Sequence, residues 1–154
     1  MLKRDRPKIN PPLRTIDIIL EGLAGLCIAY VIFHLIVAFP ELNQKVPTHF
    51  NGAGKPDSWG NKYSLLILPI INIAMYAELT VLNRYPYIFN YPITITEQNA
   101  IRQYQLAKTL VIWLKFSVAA MFLYIQIQTI NAANGSHMGL GPFFLVFVII
   151  GSFA

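Results

Sequence analysis

Four apolar runs separated by short polar stretches organise this chain. The first covers 18–39, 22 residues broken only by Glu21 and His34. The second covers 63–82, with Pro69 near its start and Glu78 near its end, and the third covers 106–130, interrupted by Lys108 and Lys115. The fourth is 138–154, 17 residues. A membrane-spanning helix needs about 20 apolar residues at 1.5 Å rise. The pattern predicts an all-α integral membrane protein, a single domain over 1–154 with about four transmembrane helices. A basic tail (1–16), a polar loop (40–62) and a loop with a helix (83–105) complete it. The fourth run is barely long enough to cross, so either its end sits at the far interface or the natural chain continues past Ala154.

Composition agrees with this reading: 55% of residues are hydrophobic and only 12% charged, against about 25% charged in a soluble domain. The net charge of +5 therefore reads as topology rather than as nucleic-acid binding. Lys3, Arg4, Arg6, Lys8 and Arg14 precede the first run; Arg84, Arg102 and Lys108 follow the second. Only Lys45, Lys55 and Lys62 lie in the 40–62 loop, and none in 131–137. An excess of Lys and Arg marks the cytoplasmic side. Both termini are thus expected inside, in a multi-pass protein of the cytoplasmic membrane, and the 40–62 loop faces outward. The basic leader resembles a signal peptide, but the apolar run is too long and Ala38-Phe39-Pro40-Glu41 is a poor cleavage site, so we read an uncleaved anchor. The single cysteine, Cys27, lies in an apolar run and reads as a packing residue.

Within 83–105, aromatics at alternate positions (Tyr85, Tyr87, Phe89, Tyr91) suit an extended segment in the headgroup layer. Thr94-Ile-Thr-Glu97 reads as a capping box, with Thr94 as N-cap of a helix that runs unbroken into the third span.

Charges inside apolar runs need partners, because a lone lysine at the bilayer centre costs about 2.5–3.5 kcal/mol on insertion scales. Asp17 and Glu21 share a helix face with Gly25 and Ala29; Lys115 shares one with Ala119, Phe122 and Gln126. We expect Lys115 to contact Glu78 first and Glu21 second. An ion pair that locks the bundle, a proton or ion pathway, and a snorkelling lysine remain the three readings of these charges. His34, His49 and His137, with Asp57, carry groups that zinc or copper prefer, but no two are spaced as a helical metal motif. No metal, other cofactor or catalytic site is expected. Asn134-Gly-Ser136 matches a glycosylation sequon, a three-residue signal of little weight.

The loop VPTHFNGAGKPDSWGNKY, Val46–Tyr63, is too specific for a bland connector. Val46 to Phe50 is β-capable, Asn51-Gly52 is a tight-turn dipeptide, Gly54 adds freedom in φ, and Pro56-Asp57 begins another turn. We expect a compact hairpin-like cap on the membrane surface, with Trp59 tucked against the outer ends of the spans. The pattern Pro47, His49, Asn51, Gly54, Pro56, Asp57, Trp59, Gly60 and Lys62 resembles the signature of a bacterial membrane domain of unknown function. That domain forms the N-terminal part of SdpI-like immunity proteins, which protect cells from a sporulation-delaying toxin. The stretch from Asn90 to Tyr104 is similar to members as well.

The resemblance implies a non-enzymatic membrane protein, with His49, Asn51, Gly54, Asp57 and Trp59 as the shared structural or recognition element. Full SdpI-like proteins have more spans. The leading reading is an outward loop that recognises a peptide, lipid or protein partner. An accessory subunit of a larger membrane complex is the first alternative. A proton- or ion-coupled carrier built on Glu21, Glu78 and Lys115 is the second.

Overall fold

A computed structural model describes residues 6–136, 139–141 and 144. In chain order the elements are helix α1 (Thr15–Ala38), strands β1 (Lys45–Phe50) and β2 (Pro56–Asn61), helix α2 (Ile67–Leu82) and helix α3 (Ala100–Ala133). A 3-10 turn, Lys62–Leu66, leads directly into α2, and a shorter one, Pro86–Ile88, follows it. Among the described residues, three helical stretches are long and apolar enough to cross a membrane: Thr15–Ala38, Lys62–Leu82 and Ala100–Ala133. Of the expected fourth span, 138–154, only residues 139–141 and 144 are described, and 139–141 are not helical, with Gly139 and Gly141 at positive φ; the rest lies outside the described residues.

Local chemistry explains the helix ends. Asp17, in the first turn of α1, accepts the backbone N–H of Arg14 at 2.8 Å, which satisfies a donor the helix cannot reach and places a negative charge at the positive end of its dipole. Pro40 follows α1 and cannot extend it. Pro69 sits in the first turn of α2, where its missing N–H is of little consequence.

The start of α3 corrects the capping-box expectation. The helix begins at Ala100 rather than after Thr94. Asn99 Oδ1 accepts the Thr96 N–H at 2.9 Å, and Asn99 Nδ2 donates to the Thr94 carbonyl at 3.0 Å. Ile95, 1% exposed, joins Ala100 and Tyr104 in a small core against Ile9, Tyr87 and Tyr91, so burial of Ile95 decides the path of the chain there. The aromatic segment before it is likewise not extended throughout, because Pro86–Ile88 forms a turn. From Ala100 the helix continues unbroken for 34 residues, about 51 Å, well beyond a hydrocarbon core of about 30 Å.

Side-chain contacts set the helix directions. Thr109 meets Asp17, Lys115 meets Glu21, and Gln126 donates to the Val31 carbonyl at 2.8 Å. Rising sequence numbers match on both sides, so α1 and α3 run parallel. Against α1, α2 is antiparallel: Tyr76 meets Glu21, whereas the ring of Tyr63, just before α2, lies tilted 5.4 Å from that of Phe39. At the hairpin end a core of Leu35, Leu42, Val46, Leu65, Ile130 and Ala133 ties the strands to the bundle. The outer faces of α1 and α2 stay apolar, with Leu26 and Ile36 each 67% exposed, a pattern that suits contact with lipid.

Candidate functional site

Strands β1 and β2 pair antiparallel, with Lys45 opposite Asn61 and Pro47 opposite Trp59, and the register shifts around His49. Asn51 builds the turn. Its backbone N–H donates to the Lys55 carbonyl at 2.9 Å, and its side-chain oxygen accepts the N–H groups of Ala53 and Lys55 at 3.0 and 3.1 Å. Gly54 closes the turn at φ +73°, a conformation that favours glycine. Asn51 and Gly54 are therefore the brace of the hairpin, and the oxygen of Asn51 is already engaged.

His49 and Asp57 come together across the strands, Nδ1 to Oδ1 at 2.5 Å. Both side chains face solvent, 68% and 41% exposed, where such a pair adds only about 0–1 kcal/mol. Trp59 is 51% exposed. It is not tucked against the spans, because it is the buried side chains of β1, Val46 and Pro47, that hold the hairpin to the bundle. The strand carrying Trp59 is exposed from Asp57 to Trp59.

A second set of contacts fixes the turn from outside. The Leu140 N–H donates to the Gly54 carbonyl at 2.7 Å, and the Tyr124 hydroxyl of α3 donates to the Leu140 carbonyl. A Cβ at Gly139 would lie 2.1 Å from the Gly54 oxygen. Gly139-Leu-Gly141 thus works as a clasp. Read as the start of an apolar span, it carried no local signal of this role.

The other chemical cluster lies inside the bundle. Lys115 Nζ donates to both Glu21 oxygens, at 2.5 and 2.7 Å, and sits 4.1 Å from the centre of the Tyr76 ring. The Tyr76 hydroxyl donates to Glu21 at 2.7 Å. Lys115 is 2% exposed, so both its charge and its donors are met without water. Glu78, the partner expected first, is exposed and outside this cluster. It stands two residues from Tyr76, about 200° around α2, and points away from the face that meets Glu21. The roles of Tyr76 and of Thr109, which donates to Asp17 at 2.5 Å, were missed from sequence.

Near the N-terminal end, the Arg6 guanidinium lies 5.4 Å from the centre of the Tyr91 ring and donates to the Phe89 carbonyl at 2.6 Å. Burial, with Tyr104 alongside, pushes the Tyr91 hydroxyl up to about 12, despite the opposing pull of Arg6. Among the described residues no three His, Cys, Asp or Glu side chains gather as a metal site; His137 lies outside them.

Residues 25–73, from the middle of α1 through the hairpin into α2, match the family model of a domain of unknown function, DUF1648. This segment carries a DUF1648 match. An uncharacterized protein of Archaeoglobus fulgidus is 34% identical over 104 residues, which cover 62% of this chain and 57% of that protein. The chain thus spans little more than half the length of that relative. No solved structure matches. The DUF1648 segment contains the whole hairpin but neither Glu21 nor Lys115.

Proposed function

We propose that this is a non-enzymatic, multi-pass protein of the cytoplasmic membrane, with its N-terminus inside and its hairpin on the outer face. The hairpin recognises a peptide, lipid or protein partner, in the manner of an SdpI-like immunity or envelope-sensing protein. The observation that carries this reading is the exposed group His49, Asp57 and Trp59 on a hairpin braced internally by Asn51 and externally by Leu140. A stiff, exposed polar and aromatic surface loses little conformational entropy on binding. A connector between two helices needs far fewer residues.

The test is a photo-crosslinking residue at Ser58, an exposed position between Asp57 and Trp59, in intact cells. A discrete adduct should form, and the double substitution H49A/D57A should remove it while the protein still accumulates in the membrane. Failure of that variant to accumulate would make the pair structural and sink the recognition reading.

A second reading, an accessory subunit of a larger complex, draws on the apolar outer faces of α1 and α2, which suit protein as well as lipid. A single large heteromeric band on a native gel in mild detergent would favour it. The carrier reading draws on the Glu21–Lys115 pair, in which Lys115 is buried and Glu21 partly so, since charges at membrane depth commonly mark transport.

A further inference from the structure

At the end of the bundle opposite the hairpin, a cleft of about 230 Å³ opens between the N-terminal segment, the end of α2 and α3. Lys108, Arg84, Asn83, Glu21 and Leu13 line it. Glu21 is already engaged by Lys115 and Tyr76, so the free chemistry lies in the others.

Lys108 is 5% exposed. Its ammonium carries three donors. Two go to Asn10 Oδ1 and the Pro11 carbonyl, both at 2.6 Å. Both hydrogen-bond partners are neutral and one donor remains; the Asp17 carboxylate acts on the ammonium only through space. Asp17 makes its hydrogen bonds to Thr109 and the Arg14 N–H rather than to Lys108. The Arg84 guanidinium has no partner among the described residues. Asn83 is 7% exposed, and its Oδ1 accepts no hydrogen bond from the described residues. A buried acceptor left unmet costs about 1–3 kcal/mol. The cleft therefore presents two cationic donor groups and one acceptor that needs a donor.

We infer that this cleft holds a phospholipid headgroup, its phosphate between Arg84 and Lys108 and a headgroup N–H or O–H on Asn83 Oδ1. Free phosphate shares the first half of that chemistry and lacks the rest. Leu13, at 42% exposure, continues the lining toward the apolar outer face of α1, where acyl chains lie. A glycerol or ethanolamine headgroup supplies both phosphate and donor; a choline headgroup has no N–H or O–H to give. The inference stands apart from the recognition role of the hairpin and holds whichever face is cytoplasmic.

Native mass spectrometry of the full chain, released from micelles containing equal phosphatidylglycerol, phosphatidylethanolamine and phosphatidylcholine, tests it. One phosphatidylglycerol or phosphatidylethanolamine should be retained in preference to phosphatidylcholine. R84Q, at an exposed position, should weaken retention about fivefold, the effect of one basic residue at a membrane surface. R84K should restore most of it. R102Q, exposed at the same end but outside the cleft, should change nothing. Equal retention of phosphatidylcholine, an unchanged R84Q, or an equal loss in R102Q would overturn the site. Displacement of the lipid by millimolar inorganic phosphate would assign the cleft to free anion instead.

Discussion

Glu21 and Lys115 face each other across the α1–α3 interface, each with its charge met inside the bundle: two bonds from the ammonium to the carboxylate, and the Tyr76 ring over the ammonium. Removal of one partner strands the other. K115M or E21Q alone should lower stability by about 3 kcal/mol or more, as for other broken buried pairs. The double variant E21L/K115M should recover much of that loss, because no charge is left behind. Thermal unfolding in detergent measures both. Additive losses in the double variant would show that the two residues act independently.

Tyr76 serves the pair in two ways that substitution separates. Y76F keeps the ring near Lys115 and loses only the hydroxyl bond to Glu21, which should cost about 1 kcal/mol. Y76A loses the ring contact and leaves a cavity as well, so it should cost about 3 kcal/mol or more. Equal unfolding midpoints for the two variants would remove the ring from the account.

The clasp gives a third outcome. Gly139 has φ +133°, and a Cβ there would collide with the Gly54 carbonyl. G139A should break the bond from Leu140 to Gly54 and free the turn, while the helices keep their packing. Limited proteolysis should then cut between Asn51 and Lys55 in the variant, and there much more slowly in the parent chain. Unchanged protection would show that β1 alone holds the hairpin.

These three cases also show where the chain was legible. The hairpin could be read because its determinants are local: Asn51 and Gly54 specify a turn within five residues, and β-capable residues precede it. The three spans could be read because length and hydropathy decide them. The partner of Lys115 could not. It depends on the parallel course of α1 and α3 and on the azimuth of Tyr76, which points Glu78 the other way; neither is encoded in a single segment. The start of α3 misled because Thr94 and Glu97 satisfy a local capping rule that burial of Ile95 overrides. Trp59 misled for a related reason. An interfacial preference was visible, but the hairpin anchors itself through Val46 instead.

Orientation is the remaining outcome to check, and it follows from charge. Among the described residues, Arg6, Lys8, Arg14, Arg84, Arg102 and Lys108 lie toward one end of the bundle, against Lys45, Lys55 and Lys62 toward the other. The basic face should be cytoplasmic. In a C27A background, cysteine at Ser58 should react with a membrane-impermeant maleimide in intact cells, and cysteine at Lys8 only after permeabilisation. Both positions are exposed, so access to the reagent depends on the side of the membrane and not on packing. The reverse labelling would place the hairpin inside, and any partner of His49, Asp57 and Trp59 would then have to be sought among cytoplasmic components.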